Sequence, residues 1–251
     1  MYIRETNSTN TLLRTQYGEA LPNLYTIRTD YQTAGRGQAG NGWESEDGKN
    51  LLFSTLIRSD IRPAEQFRLT MMVSVAMWEM LSQYLSNDLL TIKWPNDIYY
   101  GDKKLAGILV ENILSGDRIA YSIAGIGLNV NQLEFKSGAP NPISMQQITG
   151  KAYDVAVLLS SFLNALQVCF EIPTEALKDA YMRHLYRRKG AFPYIEREVS
   201  IAPTMIVRAA EAEQVFMAEI EDVTPLGQLV LRTDGDEVRT YHFKQIRFVI
   251  E

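Results

Sequence analysis

Apolar and polar positions recur at two different periods along this chain, and each change of period marks an element. Leu24-Tyr25-Thr26-Ile27-Arg28-Thr29 alternates and is rich in β-formers, which predicts a strand. Leu51-Leu52-Phe53-Ser54-Thr55-Leu56-Ile57 is almost continuously apolar, the pattern of a buried strand. Pro63 then opens a long helix, with Phe67, Met72, Val73, Ala76, Met77, Met80, Leu81 and Tyr84 on one broad face. Its methionines read as core filling. Leu90 to Trp94 predicts a further strand, stopped by Pro95-Asn96-Asp97. Ile98-Tyr99-Tyr100 and Lys103 to Val110 form a hairpin turned at Gly101-Asp102, and Arg118 to Ile126 follows a turn at Gly116-Asp117.

The flanks are less regular. Ser8-Thr9-Asn10 precedes Thr11-Leu12-Leu13-Arg14 and predicts a capped short helix ending near Gly18. Ala139-Pro140-Asn141-Pro142 reads as loop, followed by helices over roughly 154–170 and 174–186. From Tyr194 onward the pattern shortens to strands and turns: Val199 to Ile201, Met205 to Arg208, Val215 to Glu219, Leu229 to Arg232 and Thr240 to Phe243. A boundary near residue 190 is expected, dividing a larger domain, 1–190, from a small all-β domain, 191–251.

Composition narrows the function classes. A hydrophobic fraction of 46 % over 251 residues suffices for a full core. A net charge of −5, with Arg187-Arg188-Lys189 the only basic cluster, argues against a nucleic-acid grip. The single Cys169 lies in an apolar run and is expected to be a buried thiol. One cysteine and two distant histidines give no disulfide and no zinc cluster. No signal peptide or run of membrane-spanning length is present, so a soluble, cytoplasmic protein is expected.

One stretch works against stability. Thr33 to Trp43 carries four glycines, Gly35, Gly37, Gly40 and Gly42, around Arg36. Such a run costs backbone entropy unless the chain must approach a ligand closely, and its amides together with Arg36 suit an anion. Two phosphate motifs fail here. Asn41-Gly42 stands where a Walker loop needs Lys then Ser or Thr. Gly35, Gly37 and Gly40 match the dinucleotide fingerprint literally, with Asp60 near the acidic position, but residues 41–48 have no helical periodicity. Further along, Lys93 ends one apolar strand and Lys104 enters the next. Both are costly to bury without an anion, so Arg36, Lys93 and Lys104 are candidates to converge on a phosphate.

Gln32 to Trp43, Lys93-Trp94-Pro95-Asn96-Asp97, Lys104-Leu105-Ala106-Gly107-Ile108-Leu109-Val110-Glu111 and Gly125 to Asn129 resemble, in order, the signatures of biotin–protein ligases. Ser8-Thr9-Asn10 fits that family's N-terminal Ser-Thr-Asn. The resemblance implies an α+β fold related to class II tRNA synthetase catalytic domains: a mixed sheet with flanking helices, then an SH3-like barrel. It implies activation of biotin by ATP and magnesium to biotinyl-5′-AMP, then transfer to a lysine of a biotin carboxyl carrier protein. By the same resemblance Ser8, Thr9, Asn10 and Gln32 contact the biotin head, while Gly35, Arg36, Gly37, Gln38, Lys104 and Gly107 line its tail and the phosphate. Trp43, Asn96 and Asn129, with Arg36 and Lys104, serve the nucleotide. Arg36, Lys93, Asp97 and Lys104 surround the reacting centre, with Asp97 the candidate to take the acceptor's proton.

Two departures matter. Gln38 and Asn41 stand where the family's loop commonly has arginines, which puts retention of the adenylate in question. Only seven residues precede Ser8, so the resemblance is to the short form, without the DNA-binding domain of relatives that double as repressors. Specific DNA binding and membrane association are not expected; a homodimer is left open. The alternatives are a lipoate or octanoate ligase of the same superfamily, whose cysteine or Arg-Arg-x-x-Gly-Gly-Gly chemistry is missing here, and a non-enzymatic biotin-binding regulator.

Overall fold

The computed structural model describes residues 1–16, 21–37, 42–136, 141–197 and 215–250. Its first sheet has seven strands, and the most deeply covered is the one whose sequence lacks alternation. That strand, β3 (Leu51–Ile57), is buried at every position. Beside it lie β2 (Thr26–Gln32) and, at the edge, β1 (Tyr2–Thr6). On the other side follow β7 (Arg118–Leu128), β6 (Lys103–Ser115), β5 (Asp97–Tyr100) and β4 (Leu90–Lys93). The spatial order is β1-β2-β3-β7-β6-β5-β4; β1 and β2 run parallel and the other neighbours are antiparallel.

Period-two geometry sends alternate side chains to opposite faces. One face carries Phe53, Ile57, Ala124, Ile126, Leu128, Ala106 and Ile108 into the main core. There α2 (Phe67–Leu81) and α4 (Val155–Phe170) cover it, Phe53 meeting Phe162 edge-on at 5.2 Å. The broad face expected of α2 is wider than its sequence stripe: twelve of its fifteen residues are buried, because the helix is sandwiched between the sheet, α4 and α5 (Thr174–Arg183). The opposite face of the sheet is covered at one end by the short α1 (Thr9–Gln16), through Leu13, Ile27, Leu56, Tyr121 and Ile123. The rest of that face is where the cleft lies.

A second sheet of five antiparallel strands fits the expected SH3-like unit: β8 (Phe192–Glu196), β9 (Val215–Val223), β10 (Leu229–Thr233), β11 (Val238–Tyr241) and β12 (Ile246–Phe248). Their order is β11-β10-β9-β8-β12. Tyr194, Ile220, Leu231 and Phe248 of this sheet belong to the same buried cluster as α2 and α4. The turn between β9 and β10 reaches the start of α2 and the residue after β4: Phe67 N–H donates to Pro225 O, and Trp94 Nε1 donates to Gly227 O at 2.9 Å. Gly227, at φ 85°, is seated against Phe67 so closely that a side chain there would displace the ring.

Four elements escape the sequence pattern: β1, β8, β12 and α3 (Met145–Thr149). Ser144 and Gln147 form a capping box at the start of α3, and Gly150 at φ 72° ends it. The predicted strands at 199–201 and 205–208 lie outside the described residues, as does the predicted helix end at Gly18. Cys169 is buried as expected, and burial pushes its thiol up to about 11.

Candidate active site

The cleft opens where two strands run bare. Gly107 on β6 pairs with Gly127 on β7, and Gly125 of β7 pairs with Ser54 of β3. These glycines point to the face opposite the main core, and each lies against a side chain. A Cβ at Gly107 would sit 2.8 Å from the Trp43 ring, one at Gly127 would overlap the same indole, and one at Gly125 would overlap the amide of Asn10. Trp43 is thus laid flat on the sheet by the absence of side chains beneath it. It is held at the neck of the glycine loop, where its N–H donates to Gly35 O at 3.0 Å and Arg36 bridges Gly42.

One wall is the start of α1. Ser8 O accepts the first helical N–H, from Leu12. Thr9 donates both its N–H and its hydroxyl to Gln32 Oε1, at 2.8 and 3.1 Å, which leaves the Gln32 Nε2 donors for the cleft. Ser54 Oγ lies 2.7 Å from Thr9 Oγ1 and 2.5 Å from Asn10 Oδ1, and Asn10 Nδ2 donates to Glu111 Oε2 at 2.8 Å. Ser8, Thr9, Asn10 and Ser54 are all buried, so a polar chain runs from β2 across β3 to β6 beneath the helix start.

The far wall is the Lys93 to Asp97 turn. Lys104 Nζ donates to Asp97 Oδ2 at 2.7 Å, so its charge is met by a carboxylate of the chain itself. Lys93 lies over the rings of Tyr99 and Phe248, 5.3 and 4.8 Å from their centroids. Burial holds its ammonium below the usual lysine range, opposed by Asp97 and reinforced by Lys104 and Arg187. Asn96 donates its amide to Ile108 O, which fixes the turn on β6. Phe243, in the turn between β11 and β12, closes the rim, its ring centroid 6.1 Å from that of Trp94.

The structure therefore brings Ser8, Thr9, Asn10, Gln32, Arg36, Gly37, Trp43, Lys93, Asn96, Asp97, Lys104 and Gly107 to one cleft. Two expected residues stand behind its surface. Gly35 is occupied by the Trp43 backbone, and Asn129 donates to Lys104 O and Ile143 O. Gln38 lies outside the described residues. Arg36 and Lys104 do not converge on one point: Arg36 turns to Thr11 Oγ1 at 3.0 Å and to Glu111 at 3.7 Å, away from the Lys104–Asp97 pair. Sequence reasoning assigns no role to Ser54, Glu111 or Phe243. The hydroxyl of Ser54 inside an otherwise apolar strand was a usable signal, since a buried hydroxyl needs a partner.

Residues 2–129 match the biotin/lipoate A/B protein ligase family. The bifunctional ligase/repressor BirA of Escherichia coli K12 is 32 % identical over 193 residues, covering 76 % of this chain and 55 % of that protein. The chain spans about half the length of the curated relatives of this kind that it matches. The biotin--[acetyl-CoA-carboxylase] ligase of Paracoccus denitrificans is 29 % identical over 206 residues, covering 80 % of this chain and 81 % of the other. A biotin protein ligase from Aquifex aeolicus, solved with biotin and ATP, superposes with a TM-score of 0.73 at 22 % identity, covering 99 % of this chain and 98 % of that one. With the family match over more than half its length, this chain belongs to the biotin/lipoate A/B protein ligase family.

Proposed function

We propose that the chain is an ATP-dependent biotin–protein ligase that forms biotinyl-5′-AMP and passes biotin to a lysine of a carboxyl carrier protein. One observation carries this reading. A buried polar pocket at the start of α1, with Arg36 on that side, and the Lys93 and Lys104 ammonium groups of the far wall share one glycine-floored cleft.

The two ends of that cleft suit the two ends of an acyl adenylate. Gln32 Nε2 and the Ser8-Thr9-Asn10 corner offer donors and acceptors to a ureido head. In the first step a biotin carboxylate oxygen attacks the α-phosphorus, and the bond to pyrophosphate breaks. Arg36 and Lys104 then stabilise the charge that gathers on phosphorus, as groups aimed at a developing anion do. In the second step the acceptor amine attacks the acyl carbon, the bond to AMP breaks, and Asp97 takes the amine's proton. Asn129 Oδ1 is buried behind the cleft with no partner among the described residues, and a nucleotide amino group would satisfy it where binding opens the cleft to that oxygen. Among those residues no three His, Cys, Asp or Glu side chains stand together, so magnesium would arrive on the triphosphate and not in a cage of protein ligands. No helix there is long and apolar enough to cross a membrane, and we place the reaction in the cytoplasm.

The decisive assay is biotin-dependent exchange of pyrophosphate into ATP, followed by a mass shift on a carrier fragment. Exchange with lipoate but not biotin would replace this reading by its closest alternative.

A further inference from the structure

The loop from Gly35 to Trp43 has one arginine, and its guanidinium is not free. Arg36 donates to Thr11 Oγ1 of α1 and lies 3.7 Å from Glu111 Oε2. Glu111 projects from β6 with its side chain 20 % exposed; its other oxygen accepts from Arg14 at 3.0 Å. We propose that Glu111 is a positioning residue that holds Arg36 on the α1 side of the cleft, so that the adenylate phosphate must compete with this carboxylate for the arginine. The inference rests on the ligase reading and adds a residue to it.

The geometry supports competition in preference to a permanent pair. Arg36 is about half exposed and sits at the neck of the loop, where the Arg36–Gly42 bridge ties its backbone but not its side chain. Glu111 keeps two partners, Arg14 and Asn10, when Arg36 leaves. Exposed ion pairs are weak, so a phosphate ester with more oxygens and a buried site can win the arginine. The cost of that exchange falls more heavily on the adenylate, whose phosphate takes Arg36 at the reacting centre, than on biotin alone, which offers the arginine a single carboxylate.

The test is a set of variants measured with two probes. Glu111→Gln keeps an acceptor for Asn10 but removes the charge. Labelled biotinyl-5′-AMP should then dissociate about two- to five-fold more slowly, the scale of an exposed ion pair, while biotin affinity stays within about two-fold. In an Arg36→Ala background Glu111→Gln should change neither value. Thr11→Val, which removes the second tether and leaves Asn10 alone, should act in the same direction and carries the test if Glu111→Gln fails to fold. Unchanged or faster release in the variants would overturn the inference, as would an effect that persists without Arg36 or falls equally on biotin. Supplying the adenylate directly keeps the two readings apart: a wild-type chain that binds it but cannot make it from biotin and ATP defeats the ligase reading alone.

Discussion

Gly125→Ala isolates the polar corner from the rest of the fold. A Cβ there would lie 2.7 Å from Asn10 Cγ and 2.9 Å from its Nδ2, nearer than real Cβ contacts come. The Asn10 side chain can rotate away, but it is tied at both ends, to Ser54 and to Glu111. Rotation gives up one neutral hydrogen bond, worth about 0.5–1.5 kcal/mol, and one to a charged acceptor, worth about 1.5–3 kcal/mol. Glu111 keeps Arg14 and some water, which puts the sum near the low end, about 2–3 kcal/mol. In a chain of this size each kcal/mol moves Tm by about 2–4 °C, so calorimetry should show a drop of about 4–12 °C. Biotin affinity should fall by at least about tenfold by titration calorimetry, the equivalent of one lost hydrogen bond at about 1.4 kcal/mol. The discriminating measurement is the same substitution in an Asn10→Ala chain. With the amide gone the clash is gone, and Gly125→Ala should then cost less than about 0.5 kcal/mol. An undiminished cost in that background would show that Gly125 is required for a reason other than Asn10.

Arg36→Ala and Lys104→Ala should each slow pyrophosphate exchange by about 10²–10³-fold with little change in Tm, since each removes a group acting on the phosphorus centre; full exchange in both would remove them from the site. The His184 ring stacks on Trp78 at 3.5 Å, and burial followed by the Arg183 charge pulls its pKa down to about 4. Between the ordinary 6.5 and about 4 the unfolded chain binds the extra proton first, so stability should fall as pH drops through that window. Urea midpoints from pH 7 to 4.5 should show this slope, and His184→Gln should flatten it. A chain ending at Gly190 should lose its cooperative melt, because Tyr194, Ile220 and Phe248 share the core of α2 and α4; a soluble fragment with a sharp thermal transition would show that residues 1–190 fold alone.

Much of the first sheet was legible because burial imposed a pattern. The limits of β3 coincide with the apolar run, and the β5–β6 hairpin turns at the expected glycine, Gly101, with φ 57°. The missed β1 is an edge strand, and four of its five residues are polar or exposed, so nothing in Tyr2-Ile3-Arg4-Glu5-Thr6 marks a core face. The second sheet was harder to bound, since short strands give the period few repeats to show; β9 runs four residues beyond its expected end. In the site, residue types were readable from motifs but their partners were not. That Arg36 faces Glu111 and Lys104 faces Asp97 depends on how β6 lies against α1 and β5, a tertiary fact that spacing does not encode.

The five residues from Lys93 to Asp97 each answer to a different part of the molecule. Lys93 lies over rings from β5 and β12, Trp94 holds the carbonyl of Gly227, and Pro95 O takes the hydroxyl of the buried Tyr181 from α5. Asn96 holds Ile108 O of β6, and Asp97 holds Lys104. Such a segment behaves as a junction with five unlike sockets in a fixed order. A single inserted or deleted residue shifts every side chain into its neighbour's socket, so the damage is not graded along the turn but arrives at all five contacts together. Length is therefore the tightest constraint on this turn, and a substitution that spoils one socket should be far milder than an indel that spoils none of the residue types.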